Sequence, residues 1–191
     1  DPIFERERVQ SLYENTVEYN LTESGFLPYT LRELLTPAQM NRIEETVLGY
    51  GQTNGSVGLR ERIAALYPGA GPDNVLVTVG AAEANYLATT TFTEPGDEIV
   101  IVQPNYQQIW GIARNRGVTV REVRLDVERD WALDTAALDD AVNSRTRMIC
   151  VVNPNNPTGR IMTSAEMDAV VAAAERSGAW LLADEVYRGA E

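Results

Sequence analysis

The run Arg147-Met148-Ile149-Cys150-Val151-Val152 stops at Asn153-Pro154-Asn155-Asn156-Pro157-Thr158-Gly159, and the fold is read from this junction. The first part has the length and the apolar, β-branched character of a buried strand. Residues before proline are pushed out of the helical region, so the chain must leave the sheet here in an extended turn. A helix is predicted next. Thr163 and Ser164 offer a cap, Glu166 puts an acid in the first turn, Met167, Val170, Val171 and Ala174 recur at helical spacing, and Ser177-Gly178 ends it. Trp180-Leu181-Leu182-Ala183 then reads as the next buried strand, with Asp184-Glu185-Val186-Tyr187 at its carboxyl end. A strand, crossover helix and parallel strand place Asn156 and Asp184 on one edge of the sheet, the edge where open α/β sheets hold ligands.

Upstream the alternation continues. Residues 74–79 are expected as a strand that turns at Gly80 into a helix to about Phe92, and 98–102 as a strand after the turn Glu94-Pro95-Gly96-Asp97. A helix through Trp110 and Ala113 ends at Gly117, 118–125 alternates as a strand, and 134–142 is a helix. This order predicts an α/β chain with a doubly wound, mostly parallel sheet in three layers. Before it, 3–16 is an amphipathic arm, 17–21 a short extended piece, 22–28 a loop, and 30–35 and 37–48 are helices.

Charge and composition exclude several classes of function. The 28 acidic residues outnumber the 16 basic ones for a net charge of −12, which argues against a nucleic-acid or anionic-membrane surface. All the basic residues are arginine; the sequence has no lysine and no histidine. That removes a Ser-His triad, an ordinary zinc centre and a Walker A loop, and no metal site is expected. At 44% apolar and 23% charged, the chain reads as one soluble globular unit able to bury a core. Its apolar runs are of strand length, and its amino end has no secretory h-region and no starting Met, so an excised or processed cytoplasmic chain is expected. Cys150 lies inside an apolar strand, where packing is its expected role.

Glycine-bearing stretches sort by context. Gly49-Tyr50-Gly51-Gln52-Thr53-Asn54-Gly55-Ser56-Val57-Gly58-Leu59-Arg60 leads into a helix to Tyr67, but it lacks dinucleotide-binding spacing and no strand precedes it. Gly80-Ala81-Ala82 instead stands at a strand-to-helix turn. There free backbone N–H groups face an anion and the helix dipole adds about 0.3 to 1 kcal/mol, so this is the candidate phosphate site.

These residues resemble the aspartate aminotransferase-like, fold type I enzymes that use pyridoxal 5'-phosphate. The resemblance is carried by Asn155-Asn156-Pro157-Thr158-Gly159, by Asp184-Glu185-Val186-Tyr187 and by the segment with Tyr50, Gly51, Gly55, Leu59 and Arg60, and it extends over residues 50–187. It implies that Asp184 pairs with the protonated pyridine nitrogen and that Asn156 and Tyr187 hydrogen-bond the ring's phenolic oxygen. It further implies that Tyr106 stacks on the ring, that Gly80, Ala81 and Ala82 hold the phosphate, and that Tyr50 reaches across a dimer interface to the partner's cofactor. Ala82 stands where many members carry Ser or Thr, which leaves the anchoring to backbone donors. Asp184 and Tyr187 are thus the catalytic candidates, and Gly25, beside Ser24, and Asn156 the substrate-side ones. A carboxylate buried beside the ring nitrogen raises that nitrogen's pKa, and a protonated ring is the better electron sink.

The resemblance also implies amino-group transfer between an L-amino acid and a 2-oxo acid by a cytoplasmic homodimer with shared sites. Residues 37–191 would begin the cofactor-binding large domain, with 1–36 belonging to a small domain. The family takes its cofactor-bearing lysine from a later strand. This chain has none, so it is expected to be the amino-terminal portion of a longer enzyme and inactive alone. A lyase, decarboxylase or oxidase on the same fold stays open, as does the aminotransferase-like sensor domain of a transcription regulator. The residues named hold the cofactor; they do not choose the bond that breaks.

Overall fold

The structure, a computed structural model, describes residues 11–20, 25 and 28–190. The expected arm at 3–16 falls largely outside them, as does most of the loop at 22–28. Contacts divide the chain after Val77 into two compact units.

In the unit Glu5–Val77, short helices are set by their caps. Helices α1 (Leu31–Leu34) and α2 (Pro37–Glu44) start at Thr30 and Thr36. Each threonine hydroxyl accepts from the N–H three residues on, and the side chain there, Glu33 or Gln39, returns to the threonine N–H. Helix α2 stops well short of the expected Leu48. Val47 and Leu48 are almost fully exposed, so no packing supports another turn. Helix α3 (Val57–Ala64) is tied down by Arg60, which is buried. Its Nε donates to Gly55 O at 3.1 Å and its Nη1 to Pro72 O at 2.7 Å. Gly55 has φ +96°, and a Cβ there would lie 2.3 Å from Val77 Cγ2. Only glycine fits that approach.

Two sequence expectations fail for one reason. The chain bends at Glu18 and Tyr19 where 17–21 was expected to run extended; where 74–79 was expected as a strand, Asn74 ends a 3-10 turn, Val79 bends, and 75–79 pairs with no strand among the described residues. It is held by bonds such as Val77 N–H to Asn54 O at 3.1 Å and Val75 N–H to Pro72 O at 3.2 Å. Strand propensity reports how well a side chain suits a pleated, half-buried surface, and it supplies no partner.

From Thr78 onward the chain forms a four-stranded parallel sheet in the order β2-β1-β3-β4. Its strands are β1 (Glu98–Gln103), β2 (Thr119–Arg124), β3 (Thr146–Val152) and β4 (Trp180–Asp184). Helices α4 (Gly80–Phe92), α5 (Gln108–Asn115), α6 (Thr135–Ala141) and α7 (Ser164–Ser177) precede or connect them. Central strands β1 and β3 are apolar almost throughout because both of their faces are covered. Ile99, Ile101, Met148 and Cys150 pack with Ile109 and Ala113 of α5. Val100, Val102, Ile149 and Val151 pack on the opposite face with Leu138 of α6 and Val170, Ala173 and Ala174 of α7. These are the three expected layers, and each fully buried Ile or Val stabilises them by about 1.5 to 3 kcal/mol. Burial pushes the Cys150 thiol pKa up, in keeping with a packing role. Strand β4 is less buried than expected, with Trp180 exposed beside Phe92, because it is the sheet's edge.

Buried glutamates lock two connections. Glu166 closes a capping box with Thr163 and accepts from Leu133 N at 2.8 Å and from Arg160 Nη1 at 2.9 Å. Burial alone would raise its carboxyl, but the Arg160 guanidinium and the N–H groups of Thr163 and Leu133 outweigh that and hold its pKa at about 2. Glu98, at the amino end of β1, accepts from Arg121 Nε at 2.5 Å and Asn143 Nδ2 at 2.8 Å and pairs with Arg145. Chiefly through Arg121, its pKa is also held at about 2.

The chain crosses from β1 to β2 on one side and returns over β1 to β3 on the other. Strand order therefore reverses at β1, and the crevice at the carboxyl ends of β1 and β3 is the switch point where such sheets bind ligands. Among the described residues, no helix is long and apolar enough to cross a membrane.

Candidate active site

Past β3, almost every polar group of the turn is committed to holding it. Asn153 N–H donates to Asp184 O at 3.0 Å, carrying the β3–β4 ladder one step further, and its Oδ1 accepts from Met162 N at 2.9 Å. Asn155 is buried; its Oδ1 accepts from Thr158 Oγ1 at 2.7 Å and its Nδ2 donates to Pro104 O at 3.1 Å. The turn closes through Asn155 N to Arg160 O and Gly159 N to Asn155 O, both 2.8 Å. Asn155 and Thr158 thus hold the turn and clamp it to the segment after β1. Asn156 stands at its tip, half-buried, with Nδ2 3.5 Å from Tyr187 Oη, the outer limit of a hydrogen bond.

Asp184 ends β4 and is 8% exposed. Its Oδ1 accepts from Val186 N at 3.0 Å and its Oδ2 from Asn85 Nδ2 at 2.9 Å. Both donors are neutral. Among the described residues no guanidinium pairs with this carboxylate, and the chain has no lysine or histidine that could. A buried charge left uncompensated is costly, so the geometry suits an incoming cation. Sequence reasoning missed Asn85. The available signal was a polar pair at helical spacing, Asn85 and Thr89, on the inner face of a helix otherwise rich in Ala and Thr.

The start of α4 completes the cluster. Gly80 has φ +76°, and no side chain caps the helix from its N-cap residue Val79, so the first-turn N–H groups point out without intrahelical partners. Glu83, an acid in this turn, engages Val79 N at 2.6 Å. Gln108 Nε2 donates to Ala82 O at 2.7 Å, which ties the helix start to the segment bearing half-buried Tyr106.

A chain of bonds therefore links the regions of Gly80, Ala81, Ala82, Tyr106, Asn156, Asp184 and Tyr187 along one edge of the sheet. Together they offer a carboxylate, an amide with a phenol, an aromatic face and a helix N-terminus. Tyr50 and Gly25 belong to the first unit, where both are exposed, and Ser24 lies outside the described residues.

Residues 19–191 match the family described as Aminotransferase class I and II. The chain is 28% identical over 181 residues to tyrosine aminotransferase of Mus musculus, across 93% of this chain and 38% of the relative. It is 40% identical over 133 residues to histidinol-phosphate aminotransferase of Sphingopyxis alaskensis, across 70% of this chain and 34% of the relative. Among solved structures it is similar to a PLP-dependent aminotransferase from Streptococcus suis 89-1591, with a TM-score of 0.89 and 32% identity over 95% of this chain and 50% of that one. The chain thus spans less than half the length of these curated relatives.

Proposed function

Because the chain belongs to the class I and II aminotransferases, we propose that it is the amino-terminal, cofactor-holding portion of an enzyme that uses pyridoxal 5'-phosphate to move an amino group between an L-amino acid and a 2-oxo acid. The observation that carries this reading is Asp184, a buried carboxylate held by two neutral donors and left without a cation. The other groups along the edge fit the same cofactor. When bound, pyridoxal phosphate supplies an electron sink for bond cleavage at the amino acid's α-carbon.

Each residue then has a defined task. Asp184 holds a proton on the ring nitrogen by charge pairing. The Asn156 amide and the Tyr187 hydroxyl donate toward the ring's phenolic oxygen, and Asn156 also faces the substrate. Tyr106 covers the ring. Backbone N–H groups at Gly80, Ala81 and Ala82 take the phosphate, with Glu83 fixing the entry to the turn. Tyr50 serves the phosphate of the partner subunit in a cytoplasmic homodimer. Residues 1–36 go to the small domain, and a lysine outside this chain carries the cofactor.

The test is a half-reaction. The full-length polypeptide, loaded with pyridoxal phosphate and given an L-amino acid alone, should form pyridoxamine phosphate and release the matching 2-oxo acid. Release of carbon dioxide or ammonia in its place would move the reading to decarboxylase, lyase or oxidase chemistry. The 191-residue chain alone should bind the cofactor weakly and, after borohydride, show no stable adduct on an internal residue by mass spectrometry, since it has no lysine amine. A stable adduct on an internal residue would overturn the division of labour proposed here.

A further inference from the structure

We infer that Asn85 is a positioning residue that acts through Asp184, an inference that rests on the reading of Asp184 as the partner of the cofactor's ring nitrogen. Rotation of a carboxylate about its last torsion is soft, so one donor on one oxygen leaves its plane poorly defined. Asp184 receives one donor on each oxygen, from two different elements. Val186 N, two residues on, bonds Oδ1 at 3.0 Å and travels with the strand end. Asn85 Nδ2 bonds Oδ2 at 2.9 Å from a position 99 residues away in sequence, and both side chains are more than nine-tenths buried. Asn85 therefore decides where the carboxylate faces relative to the rest of the sheet edge.

Its chemistry suits that task. An amide N–H favours the ionised carboxylate but carries no charge of its own. An arginine in its place would cancel the negative charge that a protonated ring nitrogen needs, as Arg121 and Arg145 do for Glu98. A leucine would leave Oδ2 with no donor. Asn85 also lies one helical turn beyond Ala81 and Ala82 in α4. The helix whose start faces the phosphate is thus the one that holds the ring-nitrogen partner, so both cofactor contacts are referred to a single rigid element.

The experiment uses the full-length protein with Asn85→Leu and, as the variant best tolerated in a helix, Asn85→Ala, each confirmed as folded by circular dichroism. Two quantities are read: retention of pyridoxal phosphate by the cofactor-free protein, and protonation of an isotope-labelled ring nitrogen by NMR at neutral pH. Either substitution should weaken retention by about tenfold and move the nitrogen resonance toward its deprotonated position. In an Asp184→Ala background the same substitution should change retention by less than about twofold, because the residue it acts through is gone. Unchanged retention and resonance in the single variants would overturn the inference. An effect of equal size in both backgrounds would also overturn it, by showing that Asn85 supports the fold. Native protein that fails to retain the cofactor, or holds it with a deprotonated ring nitrogen, would instead remove the reading of Asp184 itself.

Discussion

Glu98 and Asp184 are buried carboxylates at opposite ends of one sheet, and their surroundings differ in a single respect. Glu98, at the amino end of β1, meets two guanidiniums and an amide. Asp184, at the carboxyl end of β4, meets an amide and a backbone N–H. Both are held in place, but only Glu98 is neutralised by its own chain. A neutralised carboxylate can lock β1 to its neighbours and has little left to offer a ligand. One that is oriented by neutral donors alone keeps its place open for a cation that arrives. Burial alone therefore does not separate architecture from function; the charge of the partners does.

The largest effect expected from breaking this comparison is on catalysis. In the full-length protein Asp184→Ala should lower amino transfer by about a hundredfold to a thousandfold, of order 3 to 4 kcal/mol. Asp184→Glu should cost less. Stability of the cofactor-free protein should fall by only about 1 kcal/mol, the loss of one hydrogen bond from the Asn85 amide. Turnover by the alanine variant at the native level would remove Asp184 from its role.

Glu98→Leu should do the reverse, lowering stability by roughly 3 kcal/mol at neutral pH while folded molecules keep their activity. The sign with pH follows from the depressed carboxyls. Glu98 and Glu166 have folded-state pKa values of about 2 against 4.5 for the free side chain, so their contribution is complete above pH 4.5 and is lost as pH falls toward 2. Urea midpoints measured down that range should fall for the native chain and fall less steeply for the leucine variant. Parallel curves would show that Glu98 contributes no linkage.

Tyr50→Phe should weaken cofactor retention by about 1.5 to 3 kcal/mol if its hydroxyl serves a phosphate in the partner subunit. Mixing it with a subunit disabled at Asp184 should then recover some activity, and a fully active monomer would contradict the shared site. The smallest effect belongs to the scaffold under Asn156. Thr158→Val removes the 2.7 Å bond to Asn155 and should lower the unfolding free energy by about 1 kcal/mol.

Much of the sheet and of the turn that carries the candidate site could be read before any contact was known, because the signals are local. Proline restricts the residue before it, Thr163 and Glu166 cap within one turn, Gly80 marks a positive-φ turn, and apolar periodicity separates β3 from α7. These effects act over a few positions, so Arg147 through Tyr187 carried its own instructions. Tertiary structure alone decided the rest: that 75–79 finds no partner strand, that Arg60 and Gly55 pin the loop after Tyr50, and that Asn85 reaches Asp184. Each depends on groups brought together by packing. No propensity at one position encodes the charge of a neighbour that is distant in sequence, and it is the neighbours' charge that separates Asp184 from Glu98.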